Sequence, residues 1–218
     1  NHMKKYIYII CALALSVACA QKPIVIVQIA DAQLGFDAAV KGSVPGAEYV
    51  NDLTFEVECL KATVAKVNEL KPDMVVFTGD QVHLPYDKEQ WDAFVAGIAD
   101  IDPSIEQYHL PGNHDHILKD GTADPQDFIS RFGSDRFAVK KGNVNVVGIN
   151  TSLIYFDSAL EQDQMVWLEE TLEATKESDV TLIFGHHPFF CENIDEEDSH
   201  VQIAKTKRHQ YFDFFKSK

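Results

Sequence analysis

The sequence predicts a layered domain of the α/β or α+β class. Three observations carry that expectation. Short runs rich in β-branched residues alternate with longer amphipathic stretches. The β-rich runs are apolar nearly throughout, as in strands covered on both faces. No internal repeat, low-complexity tract or linker divides the chain.

Taken in order, 24–29 reads as a strand and is followed by a loop containing Gly35, Gly42, Pro45 and Gly46. A helix is predicted over 52–70, where Phe55, Val57, Leu60, Val64 and Val67 recur at helical spacing. A strand over 73–78, a helix over 89–99, a strand over 105–110 and a short helix over 125–132 come next. The runs 137–139 and 144–149 form a hairpin around Gly142. A helix over 162–176, a strand over 180–184 and an amphipathic helix over 204–218 complete the series.

Composition narrows the function classes. A chain of 218 residues, 45% hydrophobic, is long enough for one domain with a sizeable core. Its formal charge of -15 works against the counterion-releasing contacts on which nucleic-acid binders rely, so nucleic acid is discounted as a stable partner. An acidic protein acting on phosphates must offset its own field locally, and bound cations are the usual means. No G-x-x-x-x-G-K-S/T loop is present, which disfavours a kinase or nucleotide-driven motor.

Residues 1–20 read as a signal peptide: Lys4 and Lys5 precede an apolar run too short to span a bilayer. The run closes on Leu15-Ser16-Val17-Ala18-Cys19, close to a bacterial lipobox except at Ser16. The expectation is an exported protein, periplasmic or lipid-anchored at a bacterial cell envelope through Cys19, with the folded domain over 21–218. Outside the leader only Cys59 and Cys191 remain, in no zinc or redox pattern, and they read as small buried side chains. A disulfide between them stays open as an alternative for an exported chain.

Four strands end in polar segments: Asp31-Ala32-Gln33, Gly79-Asp80-Gln81-Val82-His83, Gly112-Asn113-His114-Asp115 and Gly185-His186-His187-Pro188. A lone Gly-Asp after a strand is more often a turn. Four such segments in series bring carboxylates, an amide and imidazoles to strand ends, where open sheets place ligand sites. Carboxylates gathered there repel one another unless a cation sits between them. Asp80 is the bridging candidate between two ions, Asp31 serves one of them, and Asn113 and His186 serve the other. Mixed oxygen and nitrogen donors suit Fe, Mn or Zn.

The order D-x-Q, G-D-x-x-H, G-N-H-D, G-H-x-P resembles the calcineurin-like metallophosphoesterases, a superfamily that includes purple acid phosphatases and Ser/Thr protein phosphatases. The segment from Ala30 to Gly35 and the run from His186 through Phe189, Phe190, Ile194 and Asp195 to Glu197 are similar to its calcineurin-like phosphoesterase-domain family of small phosphatases. The resemblance implies a four-layer α/β/β/α sandwich that hydrolyses phosphate esters of a small molecule or phosphoprotein with a hydroxide bridging two metal ions. It makes Asp31, Asp80, Asn113 and His186 metal ligands. Gln33 stands at a further metal position where most of the superfamily has a His ligand, so the first metal is held there by a neutral oxygen donor or left under-coordinated. Asn113 and His114 would contact the phosphate, with His114 protonating the leaving group and Asp115 orienting it. His83 falls at a ligand or substrate-contact position, and His109, His116 and His187 read as core or loop histidines. The superfamily's terminal G-H-x-H motif is missing, so the chain is expected to be incomplete at its C-terminus, short of two ligands and weakly active or inactive. A phosphodiesterase of the same fold and a non-catalytic exported module binding a metal or phospholigand remain the alternatives. The acidic stretch 195–198 does not match a calcium loop and reads as solvated surface.

Overall fold

A computed structural model describes residues 23–176 and 180–218, so the leader with Cys11 and Cys19 lies outside the described residues. The first sheet is wholly parallel, in the order β1 (Ile26–Ile29), β2 (Met74–Thr78), β3 (Glu106–Leu110). The second joins β4 (Phe137–Lys141) and β5 (Val144–Gly148) as an antiparallel hairpin, with β6 (Val180–Phe184) parallel to β5. Between them run helices α1 (Phe36–Gly42), α2 (Thr54–Leu70), α3 (Lys88–Ile98), α4 (Asn113–His116), α5 (Gln126–Phe132), α6 (Thr151–Tyr155), α7 (Glu161–Ala174) and α8 (Lys205–Lys216). No helix among the described residues is long and apolar enough to cross a membrane.

The two-residue period of the strands sorts their side chains into layers. From β2, Val75 and Phe77 point into a core shared with Leu60, Val64 and Val67 of α2 and Trp91 and Phe94 of α3. Met74 and Val76 point the other way and meet Val146 of β5, with Ile26, Tyr108 and Phe137 packed around them. Val147 of β5 turns outward again, to Leu168 and Leu172 of α7 and Tyr211 of α8. Helices, sheet, sheet and helices therefore stack in the four layers the resemblance implied. Each fully buried aliphatic or aromatic side chain contributes about 1.5–3 kcal/mol to that stack.

Four expectations are corrected. The stretch read as loop after Gly35 contains α1, turned out of the strand direction by the left-handed backbone of Gly35 (φ 98°) and carrying an Asp37–Lys41 ion pair one turn apart. The short helices α4 and α6 were also unpredicted. β6 is not covered on both faces: it pairs with β5 on one side, and Val180, Leu182 and Ile183 remain exposed. Cys59 and Cys191 are free and exposed, the first because the buried stripe of α2 runs through Glu56, Leu60, Val64 and Val67.

The acidic stretch 195–198 is exposed at the surface yet tightly organised. Arg208, fully buried on α8, donates to the carbonyls of Ile194, Glu196 and Ile203 and to the Asp198 carboxylate. Glu196 in turn accepts the backbone N–H groups of Cys191 and Glu192.

Candidate metal centre

The parallel pairing of β1 with β2 continues past the strand ends and aligns the first two polar segments. The N–H of Asp31 donates to the Gly79 carbonyl, that of Gln33 to the Asp80 carbonyl and that of Leu34 to the Gln81 carbonyl. Asp31, Gln33 and Asp80 all take left-handed backbone angles, with φ of 55°, 40° and 52°. Such angles are costly for residues with a Cβ, though least so for Asp, and cluster where a site over-determines the chain.

Two glycines let the segments close on one another. A Cβ on Gly112 would fall 2.1 Å from Asp80 Oδ1, and one on Gly79 would fall 2.6 Å from His186 Nδ1. Gly79 also has φ 109°, a conformation that itself favours glycine.

Asp31, Asp80 and His186 each bring a ligand atom within 4.8 Å of the others. Asp80 is buried, and its Oδ2 lies 3.4 Å from His186 Nε2. The other imidazole nitrogen, Nδ1, donates to the Thr78 carbonyl at 3.0 Å, which fixes the ring and leaves Nε2 facing the carboxylates. Burial disfavours the charged form of both partners, yet the His186 hydrogen bond and the charges of His186 and His114 hold the Asp80 carboxyl below its usual range. Asp80 and Asp31 in turn hold the His186 imidazole above its own. Burial pushes the Asp31 carboxyl up, with His186 opposing and Asp80 adding to the rise. His186 Nε2 thus faces two carboxylates, an arrangement that a metal cation can join.

Asn113 opens α4 directly after Gly112, and the His114 N–H donates to Asp80 Oδ1 at 2.9 Å. Gln33 sits on the Asp31 loop and lines the same cleft as Asp31. The cluster comprises Asp31, Asp80 and His186; Gln33 and Asn113 belong to the segments that carry Asp31 and follow β3.

The role expected of Asp115 is corrected. Its carboxylate does not orient His114. Oδ1 accepts the N–H groups of Gln81 and Val82 at 2.8 and 3.2 Å, and Oδ2 that of Gly112 at 2.8 Å. Asp115 therefore pins the Asp80 loop to the Asn113 loop from beneath. Burial, then the Asp80 charge, pushes its carboxyl up against those three donors. His114 is oriented instead by the His83 carbonyl, 2.8 Å from its Nδ1. The His83 ring stacks on the His114 ring at 4.7 Å and meets Phe36 edge-on, and burial followed by the His114 charge lowers its own pKa.

His109 stacks between Phe77 and Phe132, at 4.5 and 4.2 Å, as a core histidine. His116 is buried, and His187 stacks on Tyr155. Sequence reasoning missed Thr151. Its hydroxyl oxygen accepts the N–H groups of both His186 and His187, at 2.9 and 2.7 Å, and so sets the approach of His186 to Asp80. Thr151 lies three residues beyond β5, and no local signal in the sequence marks this role.

Comparison with known proteins decides the family. The family described as Calcineurin-like phosphoesterase matches residues 24–213. The chain belongs to that family. It is 30% identical to the Serine/threonine-protein phosphatase CPPED1 of Danio rerio over 212 residues, covering 89% of this chain and 66% of that protein. It is 29% identical to the protein of the same name from Mus musculus over 164 residues, covering 70% of this chain and 53% of that protein. The phosphoesterase chain thus spans between about half and two thirds of these relatives' length. The crystal structure of a dimetal phosphatase from Danio rerio superposes with a TM-score of 0.58 at 16% identity, over 89% of this chain and 77% of that one, and shows the shared fold.

Proposed function

We propose that this site hydrolyses phosphate esters, a phosphorylated small molecule or a phosphoprotein, with two metal ions held by Asp31, Asp80, Asn113 and His186. The convergence of Asp31, Asp80 and His186 within 4.8 Å carries the reading. The donors fit a metal: two carboxylates and one imidazole nitrogen meet beyond the ends of β1, β2 and β6, drawn from both sheets, and Asn113 and Gln33 on the adjoining segments offer further oxygen donors. That mixture favours Fe, Mn or Zn over Ca or Mg. When bound, the metal ions supply Lewis acidity toward the phosphoryl oxygens and a nucleophilic water at neutral pH.

The chain's own residues account for the rest. Asp115 and the two close-approach glycines keep the Asp80 and Asn113 loops in register. His114 spends Nδ1 on the His83 carbonyl, which leaves Nε2 to hold a proton for the departing alkoxide. The His83 ring stacks on one side of His114 and is itself met edge-on by Phe36.

Mn or Zn titration with an aryl phosphate tests this. Metal uptake and phosphate binding are expected in the wild type, and Asp80→Asn should abolish both; a variant that binds metal and phosphate as the wild type does overturns the assignment. Parallel trials of a mono- and a diester separate the two ester classes. We further propose export with a lipid anchor at Cys19, for which Cys19→Ser should release the protein from membranes, and unchanged membrane association counts against it.

A further inference from the structure

A cleft of about 480 Å3 opens beside the metal centre, between α1 and α2, with Asp31 and Gln33 on its wall. Its volume is that of a small-molecule site. Phe36, Val40 and Phe55 line it and remain exposed at 48%, 49% and 64%, so its surface is largely apolar.

One lining group departs from that character. Glu56, in the first turn of α2, is only 7% exposed. Its Oε1 accepts the Asp37 N–H at 2.8 Å, whereas its Oε2 is buried with no hydrogen-bond partner. A buried carboxylate oxygen without a donor is costly, and a bound molecule that brings the donor relieves the cost. Lys41 on α1 does not supply it, because its ammonium is paired with Asp37.

We propose that this cleft seats the organic half of the phosphate ester, an apolar chain or ring bearing an amine that Glu56 Oε2 receives. The proposal rests on the phosphoesterase reading, since Asp31 belongs both to the ligand cluster and to the cleft wall. An ester whose phosphate lies at the cluster has an apolar path leading away from it. An ammonium group supplies the missing donor as a charge-assisted hydrogen bond, whereas a hydroxyl supplies only a neutral one. Apolar walls strengthen such a contact by keeping water from it.

Cys59 provides the test, because it lines the same cleft and is exposed. Cys191, exposed on the loop after β6, serves as an internal control. Alkylation of each thiol in the full chain is followed by mass spectrometry with rising hexylamine, hexanol or aminohexyl phosphate, in the presence of Mn. Hexylamine is expected to protect Cys59 at a concentration on the order of tenfold below hexanol, the difference a charge-assisted hydrogen bond makes. Glu56→Gln keeps an acceptor for the Asp37 N–H and should erase that difference while Cys191 reacts as before. Val40→Arg, at an exposed lining position, should abolish protection by both molecules. Equal protection by hexylamine and hexanol, or a preference that survives Glu56→Gln, overturns the proposal. Aminohexyl phosphate should protect better still; if it does no better than hexylamine, the phosphoesterase reading fails and the amine pocket stands.

Discussion

Asp115→Asn puts an NH2 group into a pocket where every neighbour is a donor. The native carboxylate takes the N–H groups of Gln81 and Val82 on one oxygen and that of Gly112 on the other. With its remaining oxygen toward Gln81 and Val82, the amide confronts Gly112 with a second donor and leaves both the Gly112 N–H and the new NH2 group without an acceptor. That costs about 1–3 kcal/mol, and loss of the charge weakens the other two bonds. Relief from burying a charge beside Asp80 offsets part of this, so the net loss should be about 2 kcal/mol. Asp115→Ala orphans all three donors, about 3–9 kcal/mol, a large share of the 5–15 kcal/mol that holds a domain together. Urea unfolding at neutral pH gives the value, provided the m-value is unchanged. Amide exchange should speed up first at Gln81, Val82 and Gly112. An Asn variant as stable as wild type, whose only change is the titration of His114, would refute the loop-pinning role and restore the orienting one.

The remaining expectations can be taken together. Burial pushes His109 down to about 3, so the folded protein keeps it neutral while the unfolded chain protonates it near 6.5. Stability should therefore fall as pH drops from about 6.5 toward 3, by up to about 1.4 kcal/mol per pH unit from this residue, and His109→Phe should flatten that slope in pH-dependent thermal melts. Arg208→Met strips four carbonyl or carboxylate partners from the loop after β6; a loss of about 3 kcal/mol and early proteolytic cleavage in 191–203 are expected. Gly112→Ala drives a methyl against Asp80 Oδ1, and calorimetry should show metal uptake lost even where the fold survives.

The four layers were legible because the strands announce themselves twice, by β-branched residues and by the polar segments that end them. In β2 the alternation of Val75 and Phe77 with Met74 and Val76 fills two different cores, so one apolar run correctly implied cover on both faces. The same inference failed for β6, because the apolar run Val180–Phe184 says nothing about its place at a sheet edge. The convergence of Asp31, Asp80 and His186 followed from their position just beyond strands that lie side by side or face to face. Asp115 was misread because neighbours on a helix point about 100° apart, and its carboxylate turns to the backbone of Gln81, Val82 and Gly112 rather than to the His114 ring. Thr151 and Glu56 were invisible for a different reason: each acts through a contact with a segment distant in sequence, Thr151 with His186 and Glu56 with α1. Nothing in their immediate neighbours encodes it.

Broadening of backbone and imidazole resonances by substoichiometric Mn tests the metal centre most directly, because an acidic protein also has many surface carboxylates to which the ion can stray. Signals of Asp31, Asp80, Asn113 and His186 should vanish first and together, and Asp80→Asn should leave them sharp. Early broadening confined to the exposed acidic stretch 195–198, with His186 untouched, would contradict a metal site at these strand ends.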